Sequence, residues 1–84
     1  MTTEDIRKMA AQYCLQSWSK QRGLNPIVVE KGEGIYFWDP DGNRYTDMSS
    51  QLVNLNLGFG NQAIIEAIKE QAEKYCFVGP AYAS

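Results

Sequence analysis

Asp39-Pro40-Asp41-Gly42-Asn43 lies between two runs of strand-forming residues, 35–38 (Ile35, Tyr36, Phe37, Trp38) and 44–47 (Arg44, Tyr45, Thr46, Asp47). Proline presets φ at a turn and glycine takes the positive φ that a tight reversal needs, so this stretch folds the chain back on itself. Upstream, Lys31-Gly32-Glu33-Gly34 has similar turn chemistry and follows a β-branched run at 27–30. Short runs joined by tight turns pair antiparallel, because a parallel pairing needs a crossover of a dozen residues or more. A three-stranded antiparallel meander over 27–47 is therefore the predicted centre. Residues 35–38 are apolar without alternation, which predicts that both faces of that strand are covered.

On either side the apolar spacing becomes helical. Thr2 and Asp5 form a capping-box pattern, and Ile6, Met9, Ala10, Tyr13, Cys14 and Trp18 fall on one stripe behind it. This spacing predicts a helix ending near Gln21-Arg22-Gly23, where glycine can adopt the left-handed conformation. Asn25-Pro26 then imposes extended backbone. From Met48 to Phe59, leucines alternate with small amides, which predicts extended chain or loop. Asn61 caps a second predicted helix, from Gln62 to about Cys76, with Ile64, Ile65, Ile68, Ala72 and Tyr75 facing inward. The expected class is α+β: an N-terminal helix, a three-stranded antiparallel meander, a loop and a second helix.

With 84 residues the chain makes one domain at most, and a domain of that size buries roughly 60–65% of its unfolded surface. Aromatic residues are 12% of the sequence, more than so small a core covers. Some are thus expected to face a partner or the rest of a larger protein, of which this is the leading segment. A net charge of −2 without basic clusters argues against nucleic-acid and membrane partners. The first residues lack the basic-then-apolar order of a signal peptide, so a cytoplasmic location is expected. Cys14 and Cys76 form no metal-ligand pair and are expected to be buried, reduced thiols. There is no histidine, which removes zinc sites of the common kind and every Ser-His or Cys-His nucleophile. No metal site is expected, and none of Lys8, Lys20, Lys31, Lys69 or Lys74 stands in a context that would desolvate it into a nucleophile.

Three features invite functional readings. Gly58-Phe59-Gly60-Asn61-Gln62-Ala63 fits G-x-G-x-x-A ahead of a helix, but the acidic residue that a dinucleotide site needs about 20 positions on is missing. A turn followed by a helix cap is the preferred reading. Asp39 to Asn43 places its glycine fourth, not sixth as a calcium loop requires, and reads as a hairpin turn. Trp18, the large end of the first helical stripe, reads by periodicity as a core aromatic in preference to a pocket wall.

The stretch Pro26-Ile27-Val28-Val29-Glu30-Lys31-Gly32-Glu33-Gly34-Ile35-Tyr36-Phe37-Trp38-Asp39-Pro40-Asp41-Gly42-Asn43-Arg44-Tyr45-Thr46-Asp47, then Leu55-Asn56-Leu57-Gly58-Phe59-Gly60, then Ala67-Ile68, resembles the N-terminal segment of class III (omega-amino acid:pyruvate type) pyridoxal-phosphate-dependent aminotransferases. The resemblance covers nearly the whole chain. It departs from the family at Asn61-Gln62, where a histidine and a proline are usual, and at Val53, where a larger side chain is common. It implies part of the small domain of a fold-type I enzyme acting as a homodimer, with pyridoxal 5'-phosphate as cofactor. The implied substrates are a small amine such as taurine or β-alanine and a keto acid such as pyruvate. By position in the resemblance, Trp18, Leu52 and Val53 line the substrate pocket, and Ala81 and Tyr82 reach toward the neighbouring subunit's active site. The family's Schiff-base lysine, its pyridine-pairing aspartate and its phosphate loop have no counterpart in these residues, so no catalytic or cofactor-binding residue is expected here and the cofactor-binding large domain is absent. The alternative is a free-standing interaction or dimerisation domain without catalysis, and a nucleotide-binding module comes third.

Overall fold

The computed structural model describes residues 1–83. Its centre is a three-stranded antiparallel sheet, β1 (Lys31–Glu33), β2 (Tyr36–Trp38) and β3 (Arg44–Thr46), in the order β1-β2-β3. The turns set its register. Gly34 and Ile35 make a two-residue reversal with Gly34 at φ 59°, so Glu33 faces Tyr36 and Lys31 faces Trp38. Glycine in the first central position supplies the positive φ that such hairpins need.

This placement corrects the expected strand at 27–30 and the expected turn at 31–34. Counting from the Gly34-Ile35 turn, Trp38 is the last residue of β2, and Asp39 already begins the next reversal. Residues 27–29 therefore have no partner strand. The ladder closes with the Glu30 N–H donating to the Trp38 carbonyl at 2.8 Å. Val28 still turns inward and is buried, while Ile27 and Val29 on either side are exposed.

The second reversal is organised by Asp39, the one buried polar residue among those described. Its carboxylate accepts from the backbone N–H of Asp41 (3.0 Å) and of Asn43 (2.9 Å), from the Asn43 side-chain amide (2.9 Å) and from the Tyr45 hydroxyl (3.0 Å). The Asn43 side chain foremost, with the other donors, holds the Asp39 carboxyl below the usual carboxylate range against the opposing effect of burial. In turn, donation to Asp39 pushes the Tyr45 hydroxyl above its ordinary value. The hairpin reading of this loop holds.

The inner face of the sheet carries Gly32, Phe37 and Tyr45 in one row. Phe37 stacks on Tyr45 with ring centroids 5.2 Å apart and meets Phe59 at 6.1 Å. The Phe59 ring lies so close over Gly32 that a Cβ there would stand 2.4 Å from it. Phe59 is held in place by a two-bond bridge: the Gly34 N–H donates to the Phe59 carbonyl at 3.0 Å, and the Phe59 N–H donates to the Gly34 carbonyl at 2.8 Å. On the outer face Tyr36 and Trp38 are 6.4 Å apart, with the Arg44 guanidinium 4.5 Å from the first ring and the Lys31 ammonium 5.1 Å from the second. Cations over aromatic faces leave their charged ends in water while their stems shield the rings. The inner face of the middle strand is thus buried at Phe37 and its outer face half-covered at Tyr36 and Trp38, while Ile35, the first residue of the predicted run, is exposed, so the expected cover on both faces is only partly realised.

Three helical elements flank the sheet: α1 (Thr3–Tyr13), α2 (Ser50–Val53) and α3 (Gln62–Lys74). The capping box forms, with the Asp5 N–H donating to Thr2 Oγ1 at 3.1 Å and the Thr2 N–H to the Asp5 carboxylate at 2.9 Å. Unlike the expected helix, α1 stops at Tyr13. Gln21 captures the chain beyond it, accepting from the Gln16 N–H at 3.0 Å and donating to the Ser19 carbonyl at 2.8 Å. Side chains that satisfy nearby backbone groups in this way compete with helical hydrogen bonds. Polar contacts tether α1 to its surroundings: the Thr3 hydroxyl donates to the Asp41 carboxylate at 3.1 Å, and Arg7 Nε–H donates to the Pro26 carbonyl at 3.0 Å. At the other end Asn61 Oδ1 accepts the Ile64 N–H at 3.2 Å and caps α3.

Neither α1 nor α3 buries a residue, and Cys14 and Cys76, expected to be buried, are both exposed free thiols. The first stripe is shorter than expected, since Trp18 lies beyond α1, and both stripes are largely uncovered: Ile6, Ala10 and Ile65 are half-buried, while Met9, Tyr13, Ile64, Ile68 and Tyr75 are exposed. The accessible surface is 7324 Å², whereas a compact protein of this mass exposes about 5,000 Å². The radius of gyration is 16.4 Å, against about 12 Å for a compact domain of this length.

Two stability tests follow from the turns. Asp39 has a depressed carboxyl pKa, so its contribution is complete above the unfolded value of about 3.9 and is lost as pH falls through the lower folded value. Tyr45 has a raised pKa, so its contribution is complete below about 10 and is lost as pH rises through the higher folded value. Acid and alkaline unfolding followed by fluorescence are expected to show both losses, with the alkaline one absent in Tyr45→Phe. In urea, Gly58→Ala is expected to cost more than Gly23→Ala. Both glycines have positive φ, but a Cβ at Gly58 would lie 2.8 Å from the Gly34 carbonyl oxygen whereas Gly23 has open space; Gly23→Ala costs about 1 kcal/mol.

Candidate functional site

After β3 the chain makes an unusual turn. Ser50, Gln51, Leu52 and Val53 have φ of 51°, 47°, 69° and 56°, so α2 is a single left-handed turn. It closes with the Val53 N–H donating to the Ser49 carbonyl at 2.9 Å and the Asn54 N–H to the Ser50 carbonyl at 2.8 Å. The expectation of extended chain or loop is corrected here. Left-handed backbone brings Cβ too near the following carbonyl and costs roughly 1–2 kcal/mol per L-residue, most for a β-branched one such as Val53. Such conformations persist where surrounding contacts impose them, and they cluster at functional sites.

The imposing contacts are visible. Asp47 is attached to the sheet by its own N–H, which donates to the Ile35 carbonyl at 2.7 Å. Its carboxylate accepts from the backbone N–H of Ser49 and of Gln51, each at 3.3 Å. The Asn54 side-chain amide donates to the Gln51 carbonyl at 3.4 Å. Sequence reasoning gave Asp47 no role beyond its strand. The available signal was an aspartate followed by Ser49 and Ser50, residue types that bond to nearby backbone.

The left-handed turn presents Leu52 and Val53 to solvent, 59% and 77% exposed. Trp18 is 88% exposed and sits at φ 56° in the turn that follows α1, which removes the core-aromatic reading. Tyr82 is exposed on a turn closed by its N–H donating to the Gly79 carbonyl at 3.1 Å, and Ala81 beside it is exposed too. Leu52 and Val53 share the left-handed turn, and Ala81 and Tyr82 lie together after α3. Two surface concavities lie elsewhere. One is bounded by Arg7, Ala10, Cys14, Gln21, Leu24 and Pro26, and the other, open and apolar, runs along α3 at Ile68, Gln71, Ala72, Tyr75 and Cys76.

All five lysines are exposed; Lys69 and Lys74 pair with Glu66 and Glu70 at 3.2 Å, and Lys31 lies over Trp38. An amine that forms a Schiff base at neutral pH needs desolvation or a neighbouring cation, and none of the five has that setting. In the G-x-G stretch, Gly58 packs against the Gly34 carbonyl and Asn61 caps α3, which agrees with the turn-and-cap reading. Among the described residues no acidic, cysteine or histidine cluster is placed to hold a metal, and no helix is long and apolar enough to cross a membrane.

The chain belongs to the class III aminotransferases: the family profile described as "Aminotransferase class-III" matches residues 18–84. Among solved structures, taurine:2-oxoglutarate aminotransferase from Bifidobacterium kashiwanohense, in complex with PLP and glutamate, superposes on the whole chain with a TM-score of 0.87 and 52% identity. An S-selective transaminase from Arthrobacter sp. with alanine bound also covers the whole chain, at a TM-score of 0.82 and 34% identity. Ornithine aminotransferase from Staphylococcus carnosus is 38% identical over 82 residues, 98% of this chain. The chain spans about a fifth of the length of these relatives, 20% of the ornithine enzyme and 19% of the taurine enzyme. Its helix, three-stranded antiparallel sheet and helix are thus the arrangement of fold-type I aminotransferases over this stretch.

The left-handed turn has a direct test. Val53→Gly relieves a strain of about 1–2 kcal/mol and gives back about 0.5–1 kcal/mol of unfolded-state entropy, so thermal melting is expected to find it neutral or slightly stabilising. Glu70→Gly in the exposed middle of α3 is expected to lower the helical content of the chain, read by circular dichroism, and to leave the melting midpoint of the sheet unchanged.

Proposed function

We propose that this chain is the N-terminal segment, a part of the small domain, of a pyridoxal-phosphate-dependent aminotransferase that moves an amino group from an omega-amino acid or similar terminal amine to a keto acid. The observation that carries this reading is the full-length superposition on the taurine:2-oxoglutarate enzyme at 52% identity. Taurine and ornithine, the substrates in two relatives' names, both end in a primary amine on an unbranched methylene, which supports a terminal amine as donor. Either pyruvate or 2-oxoglutarate serves as acceptor. The cofactor-binding large domain, with its Schiff-base lysine, belongs to chain outside these residues, and the cofactor is held there.

In this reading Trp18, Leu52 and Val53 form one wall of the substrate pocket. They orient the donor and discriminate by shape, and they supply no acid, base or nucleophile. Their exposure and their positive φ support this role, because exposed apolar side chains on imposed backbone are costly unless another surface meets them. Ala81 and Tyr82 reach toward the neighbouring subunit's site in a homodimer, and the protein works in the cytoplasm. The uncovered stripes of α1 and α3 lie against the rest of the enzyme.

Reassembly tests the proposal. The chain alone, mixed with pyridoxal phosphate and borohydride, is expected to give no single dominant lysyl adduct. Combined with the remainder of a class III aminotransferase, it is expected to restore conversion of pyruvate to alanine, or of 2-oxoglutarate to glutamate, at the expense of taurine or β-alanine. A lone chain that forms a stable dimer and gives no activity with a verified partner would favour the free-standing dimerisation segment instead.

A further inference from the structure

We propose that Asp47 is a positioning residue for donor specificity: it transmits the position of the sheet to the pocket wall by holding the left-handed turn that carries Leu52 and Val53. The specificity claim rests on the reading of those two residues as pocket wall, while the geometry of the turn stands without it.

Four successive non-glycine residues at positive φ are not a conformation that L-residues choose, so something outside the turn must select it. No residue of α2 is buried, which leaves hydrophobic burial unable to do so. Within these residues the turn is held by hydrogen bonds, and the side-chain acceptor placed to direct them is Asp47. Its backbone N–H is committed to the Ile35 carbonyl at 2.7 Å, in the reversal between β1 and β2. Its half-buried side chain points the other way along the chain and accepts from the Ser49 and Gln51 N–H groups, both at 3.3 Å. Gln51 is the second residue of the left-handed run, so holding its N–H fixes the Ser50–Gln51 peptide plane, from which the chain runs on to Leu52 and Val53. A carboxylate accepting from backbone N–H makes a stronger bond than a neutral acceptor does.

The consequence is for shape. An apolar pocket distinguishes donors that differ by one methylene only if its wall stands at a fixed distance from the reacting amine, and a shift near 1 Å is enough to blur it. Release of the turn lets residues 50–53 relax toward ordinary negative φ, which swings the Leu52 and Val53 side chains away from their present directions. Asp47 touches neither substrate nor cofactor in this account and acts only through the turn.

The test uses the full-length, cofactor-loaded enzyme that carries this segment, with Asp47→Ala and Asp47→Asn. Asparagine retains an acceptor oxygen at the same position, so it serves as the conservative rescue. Two readouts are taken. Backbone hydrogen exchange at Ser49 and Gln51 is expected to quicken about tenfold in Asp47→Ala and much less in Asp47→Asn. The ratio of kcat/KM for β-alanine and 4-aminobutyrate, which differ by one methylene, is expected to depart from unity by about tenfold or more in the wild type, to fall toward unity in Asp47→Ala and to be largely kept in Asp47→Asn. A ratio does not depend on the fraction of enzyme that is folded, so a general loss of stability does not move it.

Unchanged exchange at Ser49 and Gln51 in Asp47→Ala would overturn the proposal without reference to activity. Leu52→Ala and Val53→Ala separate the remaining failures. A ratio changed by these two variants but not by Asp47→Ala refutes the positioning role alone. A ratio unchanged by all three refutes the pocket-wall reading and the specificity claim with it.

Discussion

The rest of the structure depends on the two hydrogen bonds between Gly34 and Phe59. Gly34 is both the turn residue that sets the β1–β2 register and the site where the later chain returns to the sheet, through its N–H at 3.0 Å and its carbonyl at 2.8 Å. Those bonds hold the Phe59 ring over Gly32 and against Phe37, closing the one apolar interior among the described residues. Gly58 must precede Phe59 because a Cβ would strike the Gly34 carbonyl. The segment that contains the left-handed turn, residues 47–58, runs between the end of β3 and this bridge, so both of its ends are anchored to the sheet.

Away from that bridge the molecule has elements without an interior. α1 is attached by the Thr3–Asp41 and Arg7–Pro26 hydrogen bonds, and a neutral bond of this kind contributes about 0.5–1.5 kcal/mol. The ion pairs on α3 are solvent-exposed and contribute about 0–1 kcal/mol each. Helices draw most of their stability from burying an apolar face, and neither α1 nor α3 does so here. On the proposed reading those faces meet the remaining four-fifths of an aminotransferase, and the excess surface is the footprint of that contact. Within such an enzyme this segment contributes shape while the rest of the chain contributes the chemistry.

What was legible in the sequence divides along the same line. The Asp39 to Asn43 reversal was readable because its hydrogen bonds are made by its own residues, and both helix starts were readable because Thr2, Asp5 and Asn61 satisfy neighbouring N–H groups. The first hairpin was misplaced because Gly32 and Gly34 offer equivalent turn chemistry, and the choice between them is made by Phe59, a distant residue that packs on one and bonds to the other. The apolar period ran on to Trp18, but Gln21 ends the helix by local bonds that periodicity does not register. Residue type alone predicts burial of Cys14 and Cys76, but both lie just past the ends of helices whose faces are largely uncovered, and both are exposed. The left-handed turn at 50–53 contains no glycine and was invisible to propensity. The assignment of Trp18, Leu52, Val53, Ala81 and Tyr82 to a site rests on the family resemblance, since neither apolar periodicity nor turn chemistry marks those positions as a group.

Native-state hydrogen exchange on the 84-residue chain measures this account most directly. If the sheet and its bridge are the sole interior, the amides of Gly34, Asp47 and Phe59 exchange slowly while those of α1 and the middle of α3 exchange nearly as fast as in unstructured peptide. Protection in α1 and α3 equal to that of the sheet would contradict it, because the helices would then be stabilised within this chain and their faces would not await a larger protein.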